Sequence, residues 1–132
     1  MNREARPVTL GQVLISIVIP AFNEAKYLPV SLEAAHRSRA VLGQAGWTSE
    51  GIVCDNNSTD ETAAVARANG ARVVFEPFNQ IAASRNAAGR AARGDWLVFV
   101  DADTQVTSKL FREMMRAMVR DDCLGGGCPV KF

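Results

Sequence analysis

Asp101 and Asp103 stand one residue apart at the end of an apolar run, Trp96-Leu97-Val98-Phe99-Val100. If strand geometry continues through Asp103, both carboxylates project to the same side, because side chains alternate along an extended chain. Two carboxylates held side by side repel each other, and a cation between or beside them relieves the repulsion. A hard divalent ion that also binds phosphate oxygens suits that place. An Asp-x-Asp triplet can equally cap a helix or form a turn, so the surrounding elements have to decide. A further acid, Asp55, closes the short apolar run Ile52-Val53-Cys54 and is followed by Asn56.

The run before Asp101 predicts a strand buried on both faces, as in a parallel sheet. Ligands of open α/β sheets bind in a crevice outside the carboxyl ends of such strands. Residues 14–20 read as a first buried strand, ended by Pro20, which cannot donate to a ladder. A helix is predicted from about residue 25 to 42, with Leu28, Leu32, Ala35 and Val41 inward, Pro29 tolerated in its first turns and Gly43 or Gly46 stopping it. Residues 51–55 read as a second strand. Ser58-Thr59-Asp60-Glu61 matches a capping box and opens a helix that runs to Asn69-Gly70. A third strand over 71–76, an alanine-rich helix over 81–93, the strand before Asp101 and an amphipathic helix from 108 to about 121 complete the chain. The last helix should turn Leu110, Met114, Met118 and Val119 inward. Strand and helix alternate four times, which predicts an α/β fold with a parallel sheet and right-handed crossovers.

A length of 132 residues bounds this to one domain, read as a flexible leader over 1–12 and a folded unit over 13–132. Hydrophobic content of 48% with 22% charged residues describes an ordinary globular chain. The net charge of +1, from 15 basic and 14 acidic side chains, offers no general attraction for nucleic acid or an anionic membrane. Cys54, Cys123 and Cys128 form no Cys-x-x-Cys pair, so neither a disulfide framework nor a zinc site is predicted. The first apolar segment, 13–22, is far shorter than the roughly 20 residues of a spanning helix. No secretory signal pattern opens the chain. The expected compartment is the cytoplasm or the inner face of the membrane. Residues 123–132 look like the start of a strand with nothing after it to close the core. They predict a chain cut short at its C-terminal end, or an edge strand ending at Phe132, and an apolar surface through which copies could associate.

Four segments, in this order and spacing, carry a family resemblance: Ser16-Ile17-Val18-Ile19-Pro20-Ala21-Phe22-Asn23-Glu24, Asp55-Asn56-Asn57-Ser58-Thr59-Asp60-Glu61-Thr62, Ala83-Ser84-Arg85-Asn86-Ala87-Ala88-Gly89 and Gly94-Asp95 through Asp103. Together they resemble the family 2 glycosyltransferases, nucleotide-sugar enzymes of the GT-A (Rossmann-like) fold. The resemblance implies that Pro20, Ala21 and Glu24 border a nucleotide pocket and that Asp55 and Asn56 meet the base. The family commonly has a second aspartate where this chain has Asn56, whose amide can still pair with a base edge. Arg85 is implied near the diphosphate. Asp103 is implied as the ligand of manganese or magnesium, with Asp101 binding the metal, its water or the ribose. The implied donor is a UDP- or GDP-linked sugar and the acceptor an unidentified hydroxyl. The family's general base lies in a later half, so it is expected beyond Phe132.

Plainer roles compete for some of these residues. Ser58 and Asp60 can be helix caps, Glu24 can oppose a helix dipole, Arg85 can be a solvated helix residue, and His36 reads as a surface or partly packed residue. At the level of the whole chain, a metal-dependent glycosyltransferase competes with a truncated, non-catalytic module that binds a nucleotide or a partner. A nucleotidyltransferase is weaker, for want of a glycine-rich phosphate loop.

Overall fold

The computed structural model describes residues 13–119. The expectations for the leader, for Cys123 and Cys128 and for an associating C-terminal strand lie outside the described residues. Four strands, β1 (Leu14–Ala21), β2 (Thr48–Asp55), β3 (Arg72–Phe75) and β4 (Trp96–Phe99), alternate with four helices. The helices are α1 (Leu28–Gln44), α2 (Thr62–Ala68), α3 (Ile81–Ala91) and α4 (Ser108–Met118). The sheet is parallel throughout, in the order β3-β2-β1-β4.

β1 is central because its sequence can be buried on both faces. Ile15, Ile17, Val18 and Ile19 are at most 1% exposed, and each side chain so buried contributes about 1.5–3 kcal/mol. Ile15, Ile17, Ile19 and Ala21 join Leu28, Leu32, Phe111 and Met114 in the main core between the sheet and helices α1 and α4. Val18 faces the other way and meets Cys54, Ala87 and Ala88 beneath α3. Cys54 is a free, buried thiol, and burial pushes its pKa up.

At the amino end of the sheet, polar groups tie the strands together. The Ser16 hydroxyl donates to Glu50 Oε1 at 2.7 Å and accepts from the Gly94 N–H at 2.8 Å. The Arg93 N–H also donates to Glu50 Oε1, at 2.8 Å, and Arg72 pairs with Glu50 Oε2 at 3.4 Å. A Cβ at position 94 would lie 2.5 Å from Ser16 Oγ and 2.6 Å from Ser16 N, so only glycine lets the turn into β4 approach β1 this closely.

Several expectations are corrected. β4 is not covered on both faces: among the described residues it is the outermost strand, and Leu97 and Phe99 are 41% and 42% exposed, since α3 packs on β1, β2 and β3 instead. Ser58 does not cap α2. That helix begins at Thr62 after Glu61, with no side-chain cap, four residues beyond Ser58, whose Oγ accepts the Asn23 N–H across the loops. β2 begins three residues early, at Thr48, since its polar start pairs in register with Leu14, Ile15 and Ser16. In α1 the buried position is Leu42, and Val41 is only half-buried. In α4 Phe111, Met114 and Met118 are buried and Leu110 is partly buried against the core, whereas Val119, expected inward, is 45% exposed. Thr107 starts α4 by accepting the Leu110 N–H at 3.1 Å.

Candidate functional site

The chain lays down β1, β2 and β3 to one side and then returns to place β4 on the other side of β1. The reversal leaves a crevice at the carboxyl ends of β1 and β4, the position where open α/β sheets take their ligands. A cavity of about 380 Å³ occupies it. Pro20 and Ala21 come from β1, Phe22 and Glu24 from the loop that follows, and Asn56 from the turn after β2. Asp101, Ala102 and Asp103 come from the turn after β4, and Asn79, Ile81 and Ser84 from the entry to α3.

Asp101 and Asp103 reach this cavity by a turn and not by continued pleating. Val100 makes the last sheet bond, its N–H to Val18 O at 2.9 Å, and Thr104 N then closes on Asp101 O at 3.0 Å. Between the two acids Ala102 is buried, and its carbonyl accepts from Ser31 Oγ of α1 at 2.6 Å. The buried alanine anchors the turn while both carboxylates stay exposed.

Across the cavity, the loops after β1 and β2 are clasped together. Asn23, in a left-handed conformation with φ 51°, accepts the Thr59 N–H at 2.8 Å and the Asp60 N–H at 3.3 Å on its side-chain oxygen. Its own N–H donates to Ser58 Oγ at 2.9 Å, and the Glu24 N–H to Thr62 Oγ1 at 3.0 Å. Asp60 accepts from the hydroxyl and the N–H of Thr62, with the hydroxyl as the main cause, and its pKa is held below the usual carboxylate range.

Glu24 is the perturbed acid of the cavity. Partial burial pushes its pKa up, and the charges of Asp103 and Asp60 push it further. A site that raises a carboxylate in this way gains from an added positive charge. The oxygen-only donors Asp101 and Asp103 fit a hard divalent ion. Among the described residues no three His, Cys, Asp or Glu side chains converge into a closed cage.

The amino-acid sequence from residue 16 to residue 132 matches the family model described as Glycosyl transferase family 2. The chain belongs to glycosyl transferase family 2. An uncharacterised glycosyltransferase of Mycobacterium bovis is 37% identical to this family 2 chain over 89 residues, which are 67% of the chain and 36% of that relative. An uncharacterised glycosyltransferase of Rickettsia prowazekii is 33% identical over 82 residues, 62% of the chain and 28% of that relative. The chain thus spans about a third of the length of these curated relatives. Among solved structures, glucosyl-3-phosphoglycerate synthase from Mycobacterium tuberculosis, crystallised with Mn2+, uridine diphosphate and glucosyl-3-phosphoglycerate, superposes with a TM-score of 0.66 at 27% identity. The match covers 83% of this chain and 41% of that one. Staphylococcus aureus TarS in complex with UDP shares the fold, at TM-score 0.64 and 22% identity over 79% of this chain and 31% of that one. The parallel sheet with flanking helices is the GT-A arrangement of these neighbours.

Of the residues singled out from the sequence, Pro20, Ala21, Glu24, Asn56, Asp101 and Asp103 line one cavity. Asp55 and Arg85 do not. The Asp55 carboxylate accepts the Ser58 N–H at 3.0 Å and shapes the turn that presents Asn56. Arg85 lies over the ring of Phe99, 5.5 Å from its centroid. The sequence reading missed Phe22 and Asn79, which sit on loops without periodicity, and Ile81 and Ser84, which lie in the first turn of α3 and face the cavity only through its packing. It also missed the clasp by Asn23, for which an asparagine at a tight turn is the available signal. No helix among the described residues is long and apolar enough to cross a membrane.

Proposed function

We propose that this chain binds the donor of a glycosyl transfer, a UDP- or GDP-linked sugar, in the cavity between the ends of β1 and β4. The observation that carries this reading is the meeting of Asp101 and Asp103 with the β1 end and Asn56 around one cavity at the sheet's reversal point. The solved neighbour that holds Mn2+ and uridine diphosphate supports it.

In this reading the backbone of Pro20 and Ala21 flanks the nucleotide, and Asn56 reads the base. The Asn56 side-chain nitrogen already donates to the backbone carbonyls of Glu76 and Phe78. Its oxygen is therefore the atom left for a ligand, an acceptor suited to the imino N–H of uracil or guanine. Asp55 acts through the turn it holds, and Arg85 reaches the diphosphate by leaving Phe99. Asp103, with Asp101, would hold manganese or magnesium, whose charge would offset that of a diphosphate. The acceptor oxygen bonds to the anomeric carbon as the bond from that carbon to the diphosphate oxygen breaks. The acceptor's proton passes to a general base, for which no described residue is assigned.

Isothermal titration of uridine and guanosine diphosphate, with and without manganese, tests the proposal. Binding that requires the metal is expected, and equal affinity without it would remove the metal role. A non-catalytic binding module shares this site and differs in turnover alone. The chain is expected to show little donor hydrolysis, and brisk release of free sugar would rule out the module.

A further inference from the structure

We infer that Asn23 is a positioning residue, whose side-chain oxygen locks the loop after β1 to the turn after β2 so that Glu24 and Asn56 face the cavity in fixed register. The inference rests on the nucleotide-binding reading above and adds to it the device that holds two walls of the pocket together.

β1 and β2 are paired up to Ala21 opposite Asp55, and one more bond follows, from the Asn56 N–H to Ala21 O at 2.8 Å. Beyond that point no ladder holds the chains, yet Glu24 and Asn56 both have to point at the same ligand. Asn23 bridges the gap from both of its ends. Its backbone N–H donates to Ser58 Oγ, and its side-chain oxygen collects the N–H groups of Thr59 and Asp60 and, at 3.3 Å, the Thr59 hydroxyl. The next two backbone N–H groups continue the seam, Glu24 to Thr62 Oγ1 and Ala25 to Asp60 Oδ2, the latter at 3.3 Å.

Residue type matters at this position for two separate reasons. A φ of 51° is left-handed, where asparagine is among the few side chains tolerated. The neighbouring turn also presents two N–H donors that need one short acceptor. Glycine meets the first requirement alone, and aspartate meets both. Asn23, Thr59 and Asp60 are all exposed, so the seam buries little apolar surface. Its loss should loosen the pocket walls without unfolding the sheet.

The test compares Asn23→Gly and Asn23→Asp with the unaltered chain by amide hydrogen exchange at Thr59 and Asp60, thermal melting, and titration with uridine and guanosine diphosphate plus manganese. In Asn23→Gly, exchange at both amides should accelerate and nucleotide affinity should fall about tenfold, with melting within a few degrees of the unaltered chain. Asn23→Asp should restore slow exchange, because it restores the acceptor. Unchanged exchange in Asn23→Gly, or faster exchange with unchanged affinity, would overturn the assignment. If the unaltered chain binds neither nucleotide, the nucleotide reading fails on its own account. Exchange then still decides the seam, which lost protection at Thr59 and Asp60 supports and retained protection refutes.

Discussion

The side-chain amide of Asn56 donates to the backbone carbonyl of Glu76 at 3.2 Å, joining the turn after β2 to the end of β3. A second bond from the same nitrogen reaches Phe78 O, and the Phe78 N–H returns to Glu76 Oε2 at 3.2 Å. A carboxylate at position 56 would face carbonyl oxygens with no proton to share, beside the already buried Glu76. Asn56→Asp is therefore expected to cost roughly 1–3 kcal/mol, the scale of losing buried donors. Urea denaturation checks this, and a midpoint equal to that of the unaltered chain would contradict it.

Asp103→Ala should weaken manganese-dependent binding of uridine diphosphate by about tenfold or more, since even outer partners of a metal shift its affinity on that scale. Asp101→Ala should do the same. Both residues are exposed on a turn anchored by Ala102, so neither change should move the melting temperature appreciably. An Asp103→Ala chain that titrates like the unaltered one would remove this carboxylate from the site.

Gly94→Ala tests the close approach at the other end of the sheet. The added methyl would meet the backbone nitrogen of Ser16 at 2.6 Å, and backbone in the central strand cannot step aside cheaply. A loss of about 1–3 kcal/mol is expected, as for other overpacked sites. Equilibrium unfolding would show whether the cost is paid, while nucleotide binding at saturating stability should survive.

Glu50 predicts a pH dependence. Burial by itself would raise its pKa, but bonds from the Arg93 N–H and the Ser16 hydroxyl, with Arg72 nearby, hold it below the ordinary value of 4.5. Below that value the unfolded chain takes up the proton first, so stability rises with pH through this window. The contribution is fully present above pH 4.5 and is lost as pH falls through the lower folded value. Glu50→Gln should be destabilised at pH 7 and approach the unaltered chain in strong acid. A stability difference independent of pH would show that the charge is immaterial.

The alternation of apolar runs with helical periods was enough to place four strands, four helices and the end of each strand that bears chemistry. These features are local, since a buried parallel strand needs a continuous apolar run and a helix needs its stripe. Asp101 and Asp103 could be picked out because they close an apolar run, whereas Pro20, Glu24 and Asn56 were legible through the family resemblance of their segments. Partnership across the chain was not legible in the same way. Whether a face of β4 is covered depends on where α3 settles, so Leu97 and Phe99 read as core although they are half open to solvent. Ser58 reads as a cap, yet a residue 35 positions away takes its hydroxyl. Local pattern thus decided what each segment would become. Only the packed sheet decided which loops meet, because a hydrogen bond between distant residues depends on strand order, and strand order leaves no mark on either segment alone.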